Sequence, residues 1–221
     1  MPKSTRSRQK RQVFQTFLDA SHEATTNADF EVIFRSGGKD LTFLIQAKRT
    51  GATKKDAATI PELFHPKSSG QQNKSLIDFS NKNSMIALYS VFLSAKQVSS
   101  LTSHSCPFAG IMIQPAIDVR NIGFRYPKKN ILLASSILKK SVPFHRLFCA
   151  ASSKRTLVGV AQTVMPGDSG LGEEEISARI TPSISFQERR NRDRDQRLYR
   201  DAGDRSFDTF RVLIKIEGIE Q

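Results

Sequence analysis

The sequence predicts an α/β fold, a mixed β-sheet flanked by helices and followed by a variable C-terminal extension. Three observations lead there. Apolar runs of strand length alternate with segments of helical periodicity. The 221 residues are enough for one domain with a substantial core. A hydrophobic share of 38% beside a charged share of 25% belongs to a folded chain rather than a disordered one.

The elements follow in order. Residues 1–11 hold Lys3, Arg6, Arg8, Lys10 and Arg11 with no acid, and lead into a predicted helix in which Val13, Phe14, Phe17, Leu18 and Ser21 fall on one stripe. Ala28 to Phe34 reads as a strand, Ser36-Gly37-Gly38-Lys39 as a hairpin turn, and Leu41 to Arg49 as the partner strand. That second strand is nearly all apolar until Gln46, as burial on both faces requires. A loop punctuated by Pro61 and Pro66 precedes a helix over 71–81. Met85 to Leu93 and Phe108 to Ile113 are the next strands; Ile131 to Lys140 reads as helical, and Pro143 to Ala150 as a short strand or turn. Pro166 to Glu175 is loop-like. Residues 187–205 pack seven Arg among five acids, either a solvated helix or a charged linker. Phe207 to Glu217 alternates apolar and polar residues as a half-buried strand, available to return to the main sheet. The expected division is therefore a domain over 1–150 and an extension over 151–221.

Charge points to a partner. The 34 basic and 21 acidic residues give a net +13. Residues 1–60 contribute +5, residues 61–150 contribute +8, and residues 151–221 contribute nothing. A surface of this kind favours a phosphate backbone through counterion release. Two cysteines do not make a disulfide scaffold, and the longest apolar stretch, Met85 to Leu93, falls far short of the ~20 residues of a membrane span. The basic start lacks the apolar region of a signal peptide, so the expected setting is cytoplasmic, with no membrane partner.

The polar residues at the open end of the hairpin are the ones that suggest chemistry. Gln46 and Lys48 stand two apart and so share a face of their strand. Asp29 lies at the matching end of the first strand, so antiparallel pairing makes the three neighbours. A hard cation, Mg²⁺ or Mn²⁺, takes oxygen ligands. Asp29, the Gln46 side-chain oxygen and the Ala47 carbonyl supply such a set. A divalent cation generates a nucleophile from water at neutral pH, and Lys48 is placed to orient it and to stabilise charge on a phosphate. The plainer alternative is that Asp29 caps a strand while Gln46 and Lys48 finish a surface edge.

The segment ADFEVIF–turn–LTFLIQAKRT resembles the core motif of the PD-(D/E)xK, or restriction-endonuclease-like, nuclease superfamily. It is closest to the Mrr-like variant, in which glutamine replaces the acid before the lysine. The run QQNKSLIDFS followed by IALYSVFL is similar to an uncharacterised bacterial family, where an IQAKR strand precedes a Gln-led helix and a strand with a central Tyr. The resemblance covers residues 10–95, reaches PFHRLFC faintly and leaves the last part unmatched. It implies a restriction-endonuclease-like mixed sheet and a Mg²⁺-dependent deoxyribonuclease, with bacterial defence as a setting. Asp29 and Gln46 become metal ligands and Lys48 the catalytic lysine. Glu23 matches the place of an acid that completes the site in many members. Gln71 or Gln72 would face the site from the next helix, with Gln71 slightly favoured, and Glu31 is an auxiliary acid on the face of Asp29. The neutral Gln46 removes one negative charge, so the alternative is an inactive nucleic-acid-binding or scaffold protein that keeps the fold.

Arg49, Lys74, Arg120, Arg125, Lys128 and Lys129 are the expected nucleic-acid contacts, with Phe124 and Tyr126 interleaved for stacking. A homodimer, or a partner subunit docked on 187–205, is a further expectation. Gly167-Asp168-Ser169-Gly170 matches a serine-protease nucleophile motif over four residues only and reads as a turn. His104, Cys106, His145 and Cys149 form two pairs that could in principle ligate zinc, but no CxxC is present and the plainer reading is a structural one. No glycine-rich phosphate loop is present.

Overall fold

A computed structural model of the chain describes residues 14–18, 28–51, 59–60, 71–94, 97–98, 110–125, 132–153, 156–165, 171–185, 188 and 209–215. The first described element, β1 (Phe14–Leu18), is a strand and not the expected helix. Strand β2 (Phe30–Ser36) turns through Gly37 and Gly38 into β3 (Lys39–Arg49). Both glycines take positive φ, 55° and 68°, which is the demand of a two-residue hairpin turn. Ser36 pairs with Lys39 and Phe30 with Ile45, so the predicted hairpin and its register stand.

A short strand, β4 (Thr59–Ile60), precedes helix α1 (Gln71–Lys82). Asn73, Leu76, Ile77 and Ser80 form its buried stripe at spacings of three and four. The helix stops at Ser84, whose φ of 53° is left-handed. There Ser84 N–H donates to the Asn81 carbonyl at 3.4 Å and Met85 N–H to the Ser80 carbonyl at 2.8 Å, the two bonds of a Schellman cap. The chain then enters β5 (Ile86–Phe92), which runs parallel to β3, so α1 is the crossover between two parallel neighbours. Strand β6 (Ile111–Pro115) follows antiparallel to β5.

Helix α2 (Ala116–Arg125) follows β6 directly and lies outside the expected elements. The predicted helix over 131–140 is shorter, with β7 (Leu132–Leu133) leading into α3 (Ala134–Leu138). Of the expected strand or turn over 143–150, only β8 (Val142–Pro143) is extended, and α4 (His145–Ser153) is a helix. Helices α5 (Leu157–Val164) and α6 (Glu173–Ser177) come next, the second starting inside the expected loop. The last described elements are two strands, β9 (Thr181–Pro182) and β10 (Thr209–Lys215).

The main sheet is mixed and runs β1-β10-β2-β3-β5-β6-β8, with β9 on the hairpin end of β3. Strand β10 pairs antiparallel with β1 and parallel with β2, so the terminal strand returns to the sheet as expected. Strands β4 and β7 form a separate two-stranded ladder.

Side chains of β3 alternate between two cores. Leu44 faces α1, α2 and α3 through Leu76, Ile77, Val119 and Ile137. Phe43 and Ile45 face α4, α5 and α6 through Leu147, Val160, Ala161 and Ile176. Helices thus cover both faces, and the run Leu41 to Gln46 is buried throughout. The expected division at residue 150 falls inside α4, and α5 and α6 share a core with β2 and β3. Polar contacts also join the segments: the Arg35 guanidinium grips Asp40 at 2.7 and 2.9 Å and donates to the Ile184 carbonyl at 2.8 Å, while the Ser183 hydroxyl donates to Asp40 at 2.7 Å. Among the described residues no helix is long and apolar enough to cross a membrane.

Candidate functional site

Strand β3 leaves the core at its carboxyl end. Gln46 is buried, Ala47 and Lys48 are partly covered, and Arg49 is exposed. Asp29 stands just before β2, and its N–H donates to the Ile45 carbonyl at 2.9 Å, which extends the ladder by one residue. The antiparallel register then sets Asp29 beside Gln46. The crossover returns α1 with its N-terminal turn against this end of the sheet.

The side chains form one continuous hydrogen-bond chain. Lys48 Nζ donates to Gln72 Oε1 at 3.1 Å, and Gln72 Nε2 donates to Gln46 Oε1 at 3.1 Å. Gln46 Nε2 donates to Asp29 Oδ2 at 2.5 Å, and the Ala47 N–H reaches the same oxygen at 2.5 Å. Carboxylate, amide and ammonium are therefore brought together, as the hairpin spacing predicts. Gln72 is the glutamine whose amide joins them; the side chain of the expected Gln71, the first residue of α1, lies outside the described residues.

Burial raises the Asp29 pKa; the Ala47 N–H and the Lys48 charge oppose it. Next to Gln46 in register lies Tyr89 of β5, and next to Tyr89 lies Gln114 of β6. A row of polar side chains, Asp29-Gln46-Tyr89-Gln114, thus crosses four strands of a mainly apolar sheet. Tyr89 and Gln114 are fully buried. Burial pushes the Tyr89 phenol up to about 12, with the Asn73 amide opposing and the Asp29 charge adding to the rise. Asn73 is close to the phenol, yet Tyr89 Oη, Asn73 Oδ1 and Gln114 Nε2 complete no hydrogen bond of normal geometry among the described residues. Asn73 Nδ2 instead donates to the Ala116 carbonyl at 3.1 Å, tying α1 to the start of α2. Sequence reasoning missed this row because it depends on the register of β5 and β6, although the lone Gln114 in the run IMIQP was a signal.

The other expected residues divide. Glu31 is buried two residues along from Asp29, opposite Leu44. Arg49 and Lys74 are exposed, one residue past Lys48 and two past Gln72, and Arg120 is half-buried on α2. Arg125 ends α2, with only its backbone described. Glu23, Lys128 and Lys129 lie outside the described residues, as do His104 and Cys106. Among the described residues no group of three or more His, Cys, Asp or Glu stands ready to hold a metal.

The fit to a divalent cation rests on oxygen donors. Gln46 Nε2 lies 2.5 Å from Asp29 Oδ2 and 3.4 Å from the Ala47 carbonyl oxygen, so two of the three expected ligand oxygens surround the Gln46 amide. Hard oxygen donors with one carboxylate fit Mg²⁺ or Mn²⁺, held largely through water. The Gln46 oxygen, however, is turned toward α1.

Compared with known protein families, residues 3–207 match a family of unknown function, DUF6615. No curated protein and no solved structure matches the chain.

Proposed function

Starting from a chain that belongs to the DUF6615 family, we propose that it is a metal-dependent nuclease of the restriction-endonuclease-like kind, hydrolysing phosphodiester bonds of DNA. The observation that carries this reading is the unbroken chain from Lys48 through Gln72 and Gln46 to Asp29, at the carboxyl end of β3. In open α/β sheets, ligands bind outside the carboxyl ends of parallel strands.

Asp29, the Gln46 amide and the Ala47 carbonyl would hold Mg²⁺ or Mn²⁺. When bound, the cation supplies the charge that activates water and neutralises a phosphate oxygen. The protein's own part is positioning. The Ala47 N–H fixes the Asp29 carboxylate against the carboxyl end of β3. Gln72 holds the Lys48 ammonium in place, where it would bind a phosphate oxygen and stabilise the charge that grows during attack. The positive end of α1 adds to the pull on an anion, and exposed Arg49 and Lys74 add positive charge at the same end of the sheet.

Purified protein is incubated with plasmid DNA and Mg²⁺ or Mn²⁺, beside Lys48→Ala. Cleavage that falls by about 100-fold or more in the variant is the expected result, the usual scale for losing such a group. Equal behaviour of the two proteins on DNA and on RNA sinks the enzyme reading.

A non-catalytic nucleic-acid binder is the second reading. It is favoured by the neutral Gln46, whose amide N–H already occupies the Asp29 carboxylate. It predicts salt-sensitive DNA binding that survives both Asp29→Ala and Lys48→Ala.

A further inference from the structure

The chain from Lys48 to Asp29 has a direction. An ammonium only donates hydrogen bonds and a carboxylate only accepts them. With Lys48 Nζ on Gln72 Oε1, the Gln72 amide must offer its nitrogen to Gln46. Gln46 then receives at Oε1 and offers its own nitrogen to Asp29. Both ends dictate the same orientation of both amides.

A cation at Asp29 needs the opposite. For Gln46 to bring its oxygen toward Asp29 and the Ala47 carbonyl, its amide must turn over and send Nε2 toward α1. Gln72 would have to turn as well, to accept from that nitrogen. Its own Nε2 would then face the Lys48 ammonium, donor against donor.

We propose that Gln72 is a positioning residue that locks the Gln46 amide with its nitrogen toward Asp29, and so holds divalent-cation affinity down. This rests on the metal reading above and assigns a regulating role within that same site. Gln72 acts through Gln46, so its influence on the cation exists only while Gln46 is present.

The test is a calorimetric titration of the full chain with Mn²⁺ alone, in wild type, Gln72→Met, Gln46→Met and the double variant. Gln72→Met keeps side-chain length but removes the amide, leaving Gln46 free to turn. Losing one hydrogen bond of ordinary net worth predicts Mn²⁺ binding tighter by about five-fold. In the Gln46→Met background the same change should have no effect, because the double-mutant cycle isolates the coupling between the two. Gln72→Glu accepts at both oxygens, keeps the Lys48 contact and is expected to tighten binding too. Circular dichroism on each variant establishes that it is folded before titration.

Unchanged or weaker binding in Gln72→Met overturns the lock, as does equal tightening with and without Gln46. Asp29→Asn separates the two ideas. If it abolishes Mn²⁺ binding while Gln72→Met leaves binding unchanged, the site stands and the lock fails. If Asp29→Asn leaves binding intact, or no protein in the set binds Mn²⁺, the metal reading and the lock fail together.

Discussion

Asp29 shows at the scale of one residue what a site of this kind asks of the fold. Its carboxyl pKa is raised by burial, against the opposing pull of the Ala47 N–H and Lys48. A raised acid pKa means that the folded chain holds the proton more tightly than the unfolded chain does. Between the ordinary value of 3.8 and the higher folded value, the native state therefore binds more protons, and stability falls as pH rises through that window. Asp29→Asn removes this titration. The stability of the variant relative to wild type should accordingly rise from below pH 3.8 to pH 7, in urea unfolding at several pH values. A relative stability that stays level or falls would mean that burial does not dominate this carboxyl. On the proposed metal reading, a carboxylate would be worth that expense because a neutral amide offers a cation no anionic oxygen.

Among the elements, α1 brings Gln72 to Lys48 and Gln46, and its end is specified by a single strained position. Ser84 closes the Schellman cap at a φ of 53°, a conformation that disfavours any side chain but suits glycine. Ser84→Gly should raise stability by about 0.5–1 kcal/mol, the left-handed strain less the added freedom of the unfolded chain. Thermal unfolding measures it, and a lowered Tm would show that Ser84 contributes more than its backbone. The same element marks the limit of what sequence makes legible. The Gly37-Gly38 turn and the Asp29-Gln46-Lys48 cluster follow from a period of 2 and from one hairpin, both local. That Gln72 reaches Lys48 and Gln46 depends on the phase at which α1 meets β3, and spacing within 71–82 does not set that phase. Phe14, Phe17 and Leu18 of β1 suit a helical stripe, which is why sequence alone predicts a helix there. What makes it a strand is pairing with β10, from the far end of the chain. Short apolar runs such as HRLFC and LVGVAQ carry no period of their own, so α4 and α5 became visible only through the core they fill.

On the scale of the whole molecule, the neutral C-terminal third and the basic remainder are parts of one sheet, since β10 lies between β1 and β2. The +13 is thus a property of one body, and what matters is where on it the charge is used. Arg49 is exposed one residue beyond Lys48, and Lys74 is exposed two residues beyond Gln72. Lys39 is equally exposed at the hairpin end of β3, roughly 33 Å away at the rise of an extended strand. Each of the three carries one positive charge, so their alanine variants change the net charge identically. If DNA lies across the carboxyl end of β3, Arg49→Ala and Lys74→Ala each remove a phosphate contact and Lys39→Ala removes none. The slope of log affinity against log salt should then shrink by about 0.9 for each of the first two and stay unchanged for the third. Fluorescence anisotropy with a labelled duplex, from about 50 to 200 mM salt, reads those slopes directly. Equal losses in all three variants would show a diffuse attraction of the whole basic surface. A loss confined to Lys39→Ala would move the nucleic acid to the opposite end of the sheet, away from Asp29 and Lys48.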